Sequence, residues 1–281
     1  MDNIGHIIGT SARPDLPLAV VAGAGALGMA MARRIAQNYR VLLADIDITR
    51  TEANAAAMRA EGCDAAAIAC DVTDPDAVMA LAGEVGRRGG LGALVYVAGL
   101  SPSAAGFEAI IRVNLIGAAR VCEVLLPHTC PGSVAVLISS LAAHGLTPSP
   151  ELQELLRDAA ADDLPDRLAT AMGDKATSQM AYVLSKWGMN QYARREAAAW
   201  GARGARIVSL SPGLIATPMG ALEFEKSPGK KAMYEKTPLQ RECTMLEVAD
   251  ALEFLTSARA SFISGTDLLV DGGLHAMMSE G

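Results

Sequence analysis

Tyr182 and Lys186 stand four residues apart in a stretch with helical patterning, so their side chains share one face. A tyrosine ordinarily titrates near pH 10 and is a poor acid–base at neutrality. A neighbouring ammonium favours the phenolate, which equips the hydroxyl to exchange a proton with an alcohol or a carbonyl. The spacing alone is common on surface helices, and its weight comes from two other features. Ser139 and Ser140 follow the apolar run 134–138. That places hydroxyls at the carboxyl edge of a sheet, where open α/β proteins bind ligands. Asn114 sits inside a helical stretch, a position that gives an asparagine little structural reason to be there.

A second group reads as a cradle for phosphates. Gly23, Gly25 and Gly28 form G-x-G-x-x-G directly after the apolar run 18–22 and at the start of a helix. Gly23 allows the tight turn, Gly25 lets the backbone approach a pyrophosphate, and Gly28 lets the helix pack close to the sheet. Ala26 and Leu27 open that helix, whose free N–H groups and partial positive charge suit an anion. Asp45 lies 22 residues beyond Gly23 at the end of the second apolar run. An acid there is expected to bind the ribose hydroxyls of an adenosine. A 2′-phosphate would meet a like charge, and no Lys or Arg follows before Arg50, so the cofactor expected is NAD. Asp71, with Val72, ends the third run in the same way and is placed to reach the adenine edge, or to be a solvated strand end.

Apolar runs alternate with helical stretches from residue 18 to residue 270, which predicts a parallel sheet with helices on both faces. The strands expected are 18–22, 41–44, 65–70, 93–97, 134–138, 207–210 and 267–270. The main helices expected are 26–38, 49–61, one led by Asp74 and Pro75, 107–126 and 180–201. The fold class is thus α/β, a doubly wound seven-stranded parallel sheet of the Rossmann type, as one dinucleotide-binding and catalytic domain over 1–281. Residues 1–17 read as a loose arm. Residues 145–179 break the rhythm. Ser149-Pro150 and Pro165 start two short helices, Gly173 ends the second, and Leu152, Leu155, Leu156 and Ala159 form an apolar stripe. Seven acids against three bases over 151–177 make this helical insertion acidic.

Composition excludes several alternatives. The net charge of −7 argues against nucleic acid as a partner. The four histidines are scattered, the five cysteines form no C-x-x-C, and no metal site is expected. Reduced thiols suit a cytoplasmic protein. No apolar run is long enough to span a membrane.

With these residues in hand, the chain resembles the short-chain dehydrogenase/reductase family over about residues 18–275. The resemblance is carried by Ala98-Gly99, Val113-Asn114, Ile138-Ser139-Ser140, Tyr182-x-x-x-Lys186, Pro212-Gly213 with Thr217, and Val270-Asp271-Gly272-Gly273. It implies a tetrad of Asn114, Ser140, Tyr182 and Lys186. Tyr182 would be the acid–base, and Ser140 would hold the substrate oxygen, with Ser139 the alternative. Lys186 would bind the nicotinamide ribose and tune Tyr182, and Asn114 would position a water in a proton relay. Ala98 and Gly99 would line the cofactor site. Pro212, Gly213, Ile215 and Thr217 would hold the nicotinamide. The implied reaction is hydride transfer between NAD and a small secondary alcohol or ketone. The chain departs from the family pattern in its glycine spacing, in Val97 where the family has Asn, and in the 42 residues between Ser140 and Tyr182. The insertion resembles that of the subset typified by bacterial 3α-hydroxysteroid dehydrogenase/carbonyl reductase. A non-catalytic NAD-binding regulator of the same fold would be favoured by loss of a tetrad residue, and none is lost. An epimerase would carry a further substrate domain. Residues 217–245 read as a substrate lid whose Leu222, Phe224, Met233 and Tyr234 suit a hydrophobic, steroid-like substrate, or packing on their own domain. A homo-oligomer is expected, with the insertion near the active-site entrance or a subunit edge and the apolar end 274–278 as a second contact.

Overall fold

The computed structural model describes residues 15–217 and 228–279. Seven strands form one parallel sheet: β1 (Leu18–Ala22), β2 (Arg40–Asp45), β3 (Ala65–Ala69), β4 (Leu91–Tyr96), β5 (Thr129–Ile138), β6 (Arg206–Pro212) and β7 (Asp267–Val270), in the order β3-β2-β1-β4-β5-β6-β7. The central strands are runs of Ala, Val and Leu with no exposed position, as burial on both faces requires. The order reverses between β1 and β4, and a crevice opens at their carboxyl ends. The glycine loop follows β1 and Ala98-Gly99 follows β4, so both motifs meet there.

One face carries α1 (Ala26–Ile35) and α2 (Ile48–Ala60); the other carries α3 (Pro75–Arg87), capped by Asp74. Each side of the sheet has its own apolar core. The single helix expected over 107–126 is instead α4 (Phe107–Ile111), a π-helical turn (Arg112–Ile116) and α5 (Gly117–Leu125). The cause lies in β4. The buried hydroxyl of Tyr96 needs an acceptor and takes the carbonyl of Val113 at 2.6 Å. The Gly117 N–H reaches back to Arg112 instead. Gly117 must lack a side chain, because a Cβ there would lie 2.6 Å from the Tyr96 oxygen.

The insertion forms α6 (Pro150–Leu155) and α7 (Leu164–Met172), started by Ser149 and ended by Gly173 as the sequence suggests. Its apolar stripe packs on its own chain. Leu156, Leu164 and Leu168 are fully buried in the core shared with α5 and with α8 (Ser178–Gly201). Arginines of the main domain clamp its backbone: Arg112 donates to the Asp162 carbonyl at 3.2 Å and Arg195 to that of Arg157 at 3.2 Å. Arg120 also pairs with the Asp162 carboxylate. The remaining helices are α9 (Pro228–Lys236), α10 (Met245–Thr256) and α11 (Leu274–Ser279). Helix α10 begins with a full capping box between Thr244 and Glu247.

Because the stripe belongs to the core, Leu156→Ala is expected to cost about 3 kcal/mol of stability. Chemical denaturation checks this. A loss within error of zero would show that the insertion is appended and not integral.

Candidate active site

A cavity of about 900 Å³ runs along the carboxyl edge of the sheet from β3 to β6. It is large enough for a ligand of dinucleotide size. Every site residue expected from the sequence lines it except Asn114.

Its glycine end fits the expected cofactor. Gly23 has φ +107°, and a Cβ there would lie 2.5 Å from the Ala98 nitrogen. A Cβ on Gly28 would lie 1.9 Å from the Gly23 oxygen. Gly25 differs, since a Cβ there would meet nothing within 4 Å. It caps α1 with no side-chain bond to the helix, so the first N–H groups face open space beside Ala26 and Leu27. Asp45 closes the loop: one carboxylate oxygen accepts the Ala24 N–H at 2.7 Å. The other accepts the Asp47 N–H at 3.0 Å and the Arg50 guanidinium at 2.9 Å. Arg50, on the rim of the same cavity, was legible in the sequence only as the next cation. Asp71 folds onto the Thr73 N–H and hydroxyl at 2.9 and 2.7 Å, which leaves its second oxygen free of that turn. Val72 is buried beside it.

At the other end the catalytic candidates converge. Lys186 is buried, and its ammonium donates to the Ile138 carbonyl at 2.8 Å. It lies 5.8 Å from the centre of the Tyr182 ring. Burial pulls its pKa down from 10.5 to about 8. Ser139 and Ser140 separate cleanly. The Ser139 hydroxyl is buried and donates to the Lys186 carbonyl at 3.0 Å, fixing the helix. Ser140 is half-buried on the cavity wall, and its oxygen accepts the Ala142 N–H at 3.2 Å, leaving the hydroxyl hydrogen available. The buried Asn114 side chain bonds the Leu100 backbone and donates to the Ser185 hydroxyl at 3.4 Å. It accepts the Leu100 N–H at 2.7 Å and donates to the Leu100 carbonyl at 3.1 Å. It therefore positions the segment after β4. At Val97 the backbone keeps its tie to β1, because both Val97 and Ala98 donate N–H groups to the Ala22 carbonyl.

The Pro212–Thr217 loop is held from two sides. Gly213 donates to the Val270 carbonyl at 2.9 Å, and a Cβ there would lie 2.8 Å from the Asp271 Cα. Ile215 bridges to Cys243, with N–H to carbonyl bonds of 2.8 Å on either side. Of the expected lid, α9 is present with Met233 and Tyr234 half-buried, and Leu222 and Phe224 lie outside the described residues. The insertion contributes no residue to the cavity wall and lies behind it, bonded to the wall residue Arg112. Among the described residues no cluster could hold a metal, and no helix is long and apolar enough to cross a membrane.

Fold and site together define a nucleotide-dependent oxidoreductase scaffold, and comparison with known proteins gives the family. The short chain dehydrogenase family matches residues 17–152, and the enoyl-(acyl carrier protein) reductase family matches residues 167–275. The two matches part inside the insertion. Short-chain dehydrogenase/reductase bsc3 of Alternaria brassicicola is 33% identical over 267 residues, covering 92% of this chain and 96% of the relative. The 3-alpha-hydroxysteroid dehydrogenase/carbonyl reductase of Comamonas testosteroni is 27% identical, covering 75% and 87%. The crystal structure of gox2181 superposes with a TM-score of 0.75 at 26% identity, covering 93% and 96%. The chain belongs to the short-chain dehydrogenase/reductase family.

Lys186 yields a pH prediction. Its folded pKa lies below its unfolded value, so between about pH 8 and 10.5 the unfolded chain binds more protons. This group's contribution to stability therefore rises with pH across that window. Denaturant titrations in that range are expected to show the rise, and Lys186→Met is expected to flatten it. An identical slope in wild type and variant would place the Lys186 ammonium in contact with solvent.

Proposed function

We propose that this chain is an NAD-dependent oxidoreductase that interconverts a secondary alcohol and a ketone. The observation that carries the proposal is a single cavity with Asp45 toward one end and Ser140, Tyr182 and Lys186 toward the other. A nicotinamide held along Pro212, Gly213, Ile215 and Thr217 would supply or accept the hydride. Tyr182 gives its hydroxyl proton to the ketone oxygen in reduction and takes it back in oxidation. Ser140 donates to the same oxygen, oriented by the Ala142 N–H. The Lys186 charge steadies the negative charge that develops on the tyrosine oxygen. Asn114 holds the Leu100 backbone that walls the cavity beside them.

Asp45 favours NAD, since its carboxylate accepts from a ribose diol and repels a 2′-phosphate. Arg50 offsets part of that repulsion, so the preference is finite. A hydrophobic substrate, with a steroid as one candidate, is supported by the name of the Comamonas relative and by the apolar wall residues Leu100, Ala109, Val113 and Ile138. The five free cysteines among the described residues support a cytoplasmic setting. A homo-oligomer is supported by exposed Phe262, Met277 and Met278, while Leu274 is buried in its own chain and the insertion stripe is internal.

A panel of secondary alcohols and ketones, followed at the nicotinamide absorbance band, is the test. Tyr182→Phe is expected to lower kcat by about 10²–10⁴-fold with NAD affinity nearly unchanged. Substantial turnover by a folded Tyr182→Phe enzyme removes the assigned role, and a wild type that binds NAD without turnover favours the regulatory reading. Wild type is also expected to bind NAD at least about tenfold more tightly than NADP. Asp45→Ala is expected to narrow that ratio, and equal wild-type affinities would sink the cofactor assignment.

A further inference from the structure

Behind the catalytic turn lies a buried carboxylate that the proposed reaction does not use. Asp267, at the start of β7, has a side chain only 4% exposed. One of its oxygens accepts the hydroxyl of fully buried Ser211 at 2.9 Å. The other lies 3.0 Å from Nε2 of His144. An ionised carboxylate only accepts, so Nε2 carries the hydrogen and donates it. The His275 ring packs against His144 with centroids 5.3 Å apart. A sheet position of this kind would ordinarily hold an apolar residue, and a buried charge is costly unless it is hydrogen-bonded.

The two partners of Asp267 lie on the two segments that shape the reacting end of the cavity. Ser211 immediately precedes Pro212 and Gly213. His144 ends the short 3-10 turn, Leu141–His144, whose Ala142 N–H donates to the capping Ser140 oxygen. The near end of that turn is fixed by Ser139, which donates its N–H to Leu210 at 2.8 Å and its hydroxyl to the Lys186 carbonyl. At the far end the chain leaves through Gly145 for the insertion, and the His144 to Asp267 bond is the polar anchor there. The Ala142 N–H that orients the Ser140 oxygen lies between the two anchors.

We infer that His144 is a positioning residue for Ser140: its bond to the buried Asp267 carboxylate locks the turn that aims the Ser140 hydroxyl. The inference rests on Ser140 being the donor to the substrate oxygen. His144 lies outside the cavity wall, so it acts through the turn and not by touching substrate.

The test is a double-mutant cycle between His144 and Ser140, with NAD and whichever of cyclohexanol and a 3α-hydroxysteroid the wild type oxidises faster. His144→Leu is expected to lower kcat about 10- to 100-fold, the scale on which small misplacements act, with NAD affinity little changed. His144→Gln, which restores an N–H of similar reach, is expected to recover most of the loss. In a Ser140→Ala background, His144→Leu is expected to cause no further loss, because its effect passes through the missing hydroxyl. Additive losses, a loss of NAD affinity, or no rescue by Gln would each overturn the inference by pointing to a general structural role. A fully active His144→Leu beside an inactive Ser140→Ala overturns the positioning role alone. An active Ser140→Ala overturns the role of Ser140, and this inference with it.

Discussion

A positive charge held out of water under the end of β5 is the constraint around which the site is arranged. Desolvation disfavours the Lys186 ammonium, and only a few groups offset that cost: the Ile138 carbonyl at 2.8 Å and the face of Tyr182. These partners can serve only if the helix cannot slide along the sheet, and Ser139 prevents that by gripping the Lys186 carbonyl. The segment after β4 must also come close. A Cβ built on Gly99 would lie at ordinary contact distance, 3.8 Å from the ammonium and 3.4 Å from the Asn114 oxygen, so the segment packs against both. Strand end, helix and crossing loop are thereby fixed by one another.

Much of this was legible in the residues. The seven strands, their parallel arrangement and the glycine cradle follow from apolar runs and turn residues that act locally. The insertion was equally readable, since Ser149, Pro150, Pro165 and Gly173 each mark a helix end. What escaped depends on contacts between segments far apart in sequence. Nothing local tells Ser139 from Ser140; which hydroxyl meets the Lys186 carbonyl is decided by how α8 lies on β5. The Ile215 to Cys243 bridge and the Arg50 to Asp45 pair leave no periodic trace. Asn114 stood out for a sound reason, its place in a helix, but its partner is the Leu100 backbone. Helix α10 did carry a local signal, Thr244 with Glu247 three residues on, and was readable as a capping box.

The insertion separates chain length from site geometry. It stands between Ser140 and Tyr182 in sequence and yet leaves their meeting undisturbed. Its leucines enter the core beside α5 and α8, and the arginines at 112, 120 and 195 hold its backbone. A segment fastened at so many points behaves as part of the wall behind the catalytic helix.

The π-turn between α4 and α5 has a different implication, for the lengths this chain can take. The turn takes up one extra residue, and the apolar faces of the helices on either side of it both meet the core. Deleting one residue from 112–116 would give a more regular helix. It would also draw the Val113 carbonyl into the helix's own ladder and away from the buried Tyr96 hydroxyl. The chain thus accommodates a whole helical pair after Gly145, where added length can fold on itself. At the π-turn the extra residue serves a buried hydroxyl, and a chain one residue shorter there would leave Tyr96 without the Val113 carbonyl.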